Sequence, residues 1–181
     1  MSSILPLPNG KYHDRIITRQ GQMKDFGWSS NIIVDRCRYL LASFMKNERT
    51  NGNQLKAVGI RLLVVGRGEE NWDTLSPPQP LPTIQQLIDP DPITIDINPL
   101  QIIYLDVDGN QTIGPTHRIQ ITVTLEPGVP QIEGDEIAYP LREFGLLGRF
   151  GNEDFLINYV RHPVIHKQED ETLNRTIRLV F

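Results

Sequence analysis

From Ile93 onward, apolar residues fall at alternate positions so regularly that the second half of the chain is committed largely to β-strands. The cleanest run is 118–125, where Ile119, Ile121, Val123 and Leu125 alternate with Arg118, Gln120, Thr122 and Thr124. Successive side chains of a strand point to opposite faces, so this spacing places every apolar member on one side. Fully burying each of them contributes about 1.5–3 kcal/mol before conformational entropy is subtracted. Ile93, Ile95 and Ile97 repeat the pattern around Thr94 and Asp96, and Gln101 to Val107 follows as another strand. Asp108-Gly109 then marks a tight turn. Leu141 to Phe150 and Phe155 to Val160 read as a hairpin about Gly151-Asn152-Glu153. Ile177, Leu179 and Phe181 alternate in a last strand.

The first half carries different signals. Residues 1–30 are polar and broken by Pro6, Pro8, Gly10, Gly21 and Gly27, which predicts an extended N-terminal arm with one short strand at Arg15 to Thr18. Ile33, Cys37, Leu40, Leu41 and Phe44 recur at helical spacing and predict a helix over 31–46, capped by Ser29, Ser30 or Asn31. Leu55 to Val65 is apolar at nearly every position and reads as an inner strand covered on both faces. The stretch 76–82, SPPQPLP, is a stiff connector leading to a helical turn at Thr83 to Ile88.

A chain of 181 residues is long enough for one domain with its own core. The net charge is −4, and no stretch gathers the lysines and arginines that neutralising a phosphate backbone requires, so no nucleic-acid partner is expected. The N-terminus lacks the features of a signal peptide, and no apolar run is long enough to span a membrane. These features predict a soluble protein. The single cysteine, Cys37, cannot form an internal disulfide, which fits a reducing, cytoplasmic setting.

Candidate chemistry is sparse. Gly66-Arg67-Gly68 follows a strand but lacks the third glycine and the Lys-Ser/Thr of a phosphate loop. His162 and His166 are four apart, a ligand spacing on a helix; Pro163 and the β pattern argue against a helix, and an extended chain separates them by about 13 Å. Asp106, Asp108 and Asn110 resemble the start of a calcium loop, yet glycine falls too early and His117 replaces the bidentate acid. Asp89 and Asp91 sit in a proline-bounded turn without a cleft between them, and Cys37 on an apolar stripe is a poor nucleophile. No catalytic, cofactor-binding or metal-ligating residue is assigned, and no enzymatic activity is expected.

The order of elements carries a resemblance. Asn31-Ile32-Ile33-Val34-Asp35 opens the expected helix, and the strand Leu55 to Val65 ends in Gly-x-Gly. A loop with Trp72 and Leu75, the polar β segment His117 to Leu125 and Leu141-Arg142-Glu143-Phe144-Gly145-Leu146-Leu147 follow. The chain closes with Pro163-Val164 and the strand Thr172 to Phe181. Over about residues 31–181 this is similar to the tail-collar and tail-fibre attachment domains of contractile phages, and to baseplate proteins of phage-like contractile injection systems. The resemblance implies a β-rich attachment domain at 31–181 that joins other tail or baseplate proteins in a symmetric homo-oligomer, assembled in the cytoplasm into a tail-like particle. The chain ends without a fibre shaft, which favours a small baseplate or tail-associated component over a receptor-binding fibre.

The expected fold is α+β, a mainly antiparallel β-sandwich or small open barrel with the 31–46 helix packed on one side. The expected mechanism is assembly, with the arm and exposed strand edges adding to neighbouring subunits. On that view, removing residues 1–28 leaves the rest folded. The alternative from a different class is a carbohydrate- or ligand-binding β-sandwich module, against which stand aromatics that are few and scattered.

Overall fold

The computed structural model describes the chain apart from residues 1–8, 38–39, 42–43, 45–50, 75, 99–100, 133 and 135. Its strands are β1 (Asn9–Ile17), β2 (Met23–Ile33), β3 (Ala57–Gly66), β4 (Ile93–Asp96), β5 (Ile102–Leu105), β6 (Gln111–Thr112), β7 (Arg118–Leu125), β8 (Tyr139–Phe150), β9 (Glu153–Lys167) and β10 (Thr172–Val180). They form one open, antiparallel sheet in the order β4-β3-β8-β9-β2-β1-β10-β7-β5-β6, so β4 and β6 are its outer strands. A short 3-10 turn at Glu70–Asp73 buries Trp72.

The alternating runs behave as their periodicity demands. In β7, Ile121, Val123 and Leu125 are buried, and in β10 Leu173, Ile177 and Leu179 face the same core. The β8–β9 hairpin turns at Gly151-Asn152, and Gly151 takes the positive φ that such a turn requires. Pro163 is tolerated within β9 because it lies in a bulge: between the pairs Leu141–Ile165 and Glu143–Arg161, three β9 residues face Arg142 alone. Gly148 has no room for a side chain, since a Cβ there would lie 2.7 Å from the Val58 carbonyl oxygen.

One core cluster unites both halves of the sheet. Phe144 of β8 and Tyr12 of β1 belong to strands that are not neighbours, yet their rings meet edge to face at 5.1 Å. Arg175 of β10 likewise lies 3.8 Å over the Phe144 ring.

Three expectations need correction. The division into an arm at 1–30 and a domain at 31–181 fails for residues 9–30, which form β1 and most of β2. β1 is an interior strand between β2 and β10, with Tyr12, Asp14 and Ile16 buried. Hydrogen bonding along both of its edges outweighs a polar composition that reads as a tail. The helix expected over 31–46 starts late, because Asn31–Ile33 belong to β2 and Val34 donates its N–H to Ile157. Helical backbone is described at Arg36, Cys37, Leu40, Leu41 and Phe44; the rest of the expected span lies outside the described residues. Pro82-Thr83 form a turn, and the expected helical turn through Ile88 is replaced by irregular chain.

Candidate functional site

The feature that sets this sheet apart is an open seam between β2 and β9. The two strands pair only at Ile32–Tyr159 and Ile33–Asn158 and then diverge. β2 is bonded to β1 along its length, but among the described residues no strand pairs with Met23–Asn31 on the other side. β9 is equally without a strand beyond Val160 on its side away from β8. The sequence of β2 fits an edge: Lys24, Asp25, Ser29 and Ser30 do not depend on burial, and residues 23–30 are all exposed. Gly27, at φ +73°, bulges the strand, and its N–H is caught by the Asp25 carboxylate at 2.8 Å.

The mouth of the seam is a groove of about 420 Å³ lined by Ser29, Asn31, Pro77, Pro80, Tyr159 and Arg161. Asn31 presses against Gly10, where a Cβ would lie 2.0 Å from its Oδ1. Both polar atoms of the Asn31 amide are buried without a hydrogen-bond partner among the described residues. An unsatisfied buried amide costs free energy that an incoming polar group can recover. The groove therefore has main-chain edges on two sides, while the Asn31 amide itself lies back over Gly10 of β1.

The remaining polar burial holds the fold together. Asp14 receives Arg175 through two bonds of 2.8 and 2.7 Å, and both side chains are fully buried. His162 donates from Nδ1 to the Pro163 carbonyl at 2.8 Å, which leaves Nε2 to accept from Arg175 at 3.3 Å. Burial, reinforced by the Arg175 charge, pushes His162 down to about 4. Glu143 accepts from the main-chain N–H groups of Ile88 (3.1 Å) and Asp89 (2.7 Å) and from the Tyr159 hydroxyl. Burial first, and then the Glu143 hydrogen bond, raise Tyr159 above its usual range. Arg142 clasps Asp73 at 2.6 and 2.7 Å beside the buried Trp72. Asp14, Arg175 and His162 tie β1, β10 and β9 together, while Glu143 and Arg142 fix loops to β8.

The sequence candidates do not converge. His162 is buried in the core while His166 is exposed, because the Pro163 bulge breaks the face that two extended positions would share. Asp106 folds its carboxylate back onto the N–H groups of Asp108 and Asn110, both at 2.9 Å, as a turn residue does. Asp89 accepts from the Arg67 and Asp91 N–H groups, which ties its loop to Gly66-Arg67-Gly68. Cys37 is buried. Among the described residues, no group of His, Cys, Asp and Glu is arranged to hold a metal ion.

Sequence reasoning missed Asp14, Glu143 and Arg175. The signal for Arg175 was present, since it sits in phase with Leu173, Ile177 and Leu179 on the apolar side of β10. For Asp14 and Glu143 no comparable pattern exists. No family model matches this chain, and neither the curated proteins nor the solved structures include one similar to it.

Proposed function

We propose that this protein is a non-enzymatic assembly component of a contractile tail or phage-like injection particle, seated at the baseplate or along the tail. It joins neighbouring tail proteins in a symmetric oligomer built in the cytoplasm, with no nucleic acid bound and no cofactor. The observation that carries this reading is the free β2 edge from Met23 to Asn31 facing the seam to β9. An unpaired edge of this length accepts a strand through main-chain hydrogen bonds, which give affinity without a catalytic group. In this reading the two halves of the sheet pack as a sandwich about the Tyr12–Phe144 contact, with a helix carrying Cys37 and Leu40 over Gly148.

The test is isolation from the native host. An affinity-tagged chain should sediment in a large particle at fixed stoichiometry with sheath, tube and baseplate proteins. Recovery only as a monomer, with none of those proteins alongside, overturns the proposal.

A further inference from the structure

The outward face of the sheet has a separate chemistry from the seam. Registers across β2, β1, β10 and β7 place Trp28, His13, Thr176 and Thr122 in one row. The flanking row holds Ser30, Lys11, Arg178 and Gln120. Trp28 remains 46% exposed although it is held in place. Its ring stacks on His13 at 5.2 Å, and the Arg178 guanidinium lies 4.7 Å from it. Both supports are themselves fixed: His13 by Asp25 at 2.7 Å, and Arg178 by Gln120 at 2.8 Å. The face thus presents a rigid aromatic plate among hydroxyl, amide and cationic groups.

Charge gives this face its direction. The chain carries −4 overall, yet the outward positions of these strands hold Lys11, Arg15, Arg118 and Arg178 against Asp25. Asp25 is already engaged by His13 and Arg15. A protein interface would centre on a packed apolar patch, whereas here polar side chains surround a lone aromatic. A pyranose ring has an apolar face that lies on an aromatic plate and a rim of hydroxyls for groups such as Thr122 and Thr176. The fixed Arg178 guanidinium and the exposed Lys11 ammonium then select sugars that bear carboxylate or sulfate.

We infer that the outward face of β2, β1, β10 and β7 binds an acidic polysaccharide, with Trp28 as the plate beneath a sugar ring and Lys11 and Arg178 meeting its anionic groups. The inference rests on the outward side chains of these strands rather than on the main-chain edge, although β2 contributes to both.

The test follows tryptophan fluorescence of the full chain during titration with heparin, polygalacturonate, dextran and polyglutamate. Trp72 is buried, so a change in emission that is lost in Trp28→Phe reports this face. Heparin or polygalacturonate should give a saturable change that weakens with added salt, and dextran should give none. Measured by isothermal titration calorimetry, which does not depend on the Trp28 signal, Trp28→Ala should weaken binding by about tenfold, and Lys11→Glu by a similar factor, with the unfolding midpoint of each variant checked to show an intact fold. Polyglutamate stands for an acidic protein surface. If it binds as tightly as the polysaccharides, or if Trp28→Ala binds heparin and polygalacturonate unchanged, the inference fails. Absence of binding to both acidic polysaccharides also overturns it.

Discussion

With its guanidinium fully buried, Arg175 takes its counter-charge from Asp14 and rests on the Phe144 ring. Removing one member of a buried pair strands the other charge, so Asp14→Ala should lower stability by about 3–5 kcal/mol in urea unfolding. Joint replacement by apolar residues, Asp14→Leu with Arg175→Met, should restore much of that loss. His162 adds a pH dependence. Its neutral form fits between the Pro163 carbonyl and Arg175, and its folded value near 4 lies below the ordinary 6.5. Between those values the unfolded chain takes up a proton that the folded chain refuses. Stability should therefore be intact above pH 6.5 and fall by about 3 kcal/mol as the pH drops towards 4. His162→Gln should flatten that slope in denaturant titrations at stepped pH. Asp25, held down to about 2 chiefly by His13, acts in a lower window.

At the scale of elements, the free edge of β2 makes an alternating prediction. Successive N–H groups along a strand point to opposite edges, so a proline scan over 24–30, leaving out Gly27 with its positive φ in the bulge, should divide the positions into two sets. At positions whose N–H faces β1, proline should lower stability; at the others it should leave the unfolding midpoint nearly unchanged and abolish incorporation into the particle. Uniform behaviour along the scan would remove the edge from the mechanism. β7 and β10 were legible in the sequence because their burial alternates locally, and β8 with the first part of β9 because a turn at Gly151-Asn152 separates two apolar runs. β1 and β2 were not. β1 puts His13, Asp14 and Arg15 in mid-sheet, where each is satisfied by a residue from another part of the chain. The seam was out of reach for the same reason, since an unpaired edge is defined by strands that fail to meet. The helical spacing of 33–44 was real in part, but Ile33 was claimed by the ladder with β9.

For the molecule as a whole, the interior position of β1 reverses the expectation that residues 1–28 can be removed without unfolding the rest. A chain beginning at residue 31 would lose β1, most of β2 and the carboxylate of Asp14, leaving β10 with an exposed edge and a buried uncompensated charge. That truncation should show no cooperative thermal transition by circular dichroism, whereas the full chain should. Asp14 and Arg175 are 161 residues apart in sequence although they are neighbours in space. During translation, then, the first strand leaves the ribosome long before the strand that completes it. Until β10 emerges, the nascent chain holds a carboxylate with no cation and a half-paired strand, a state open to holdase chaperones and slow to resolve.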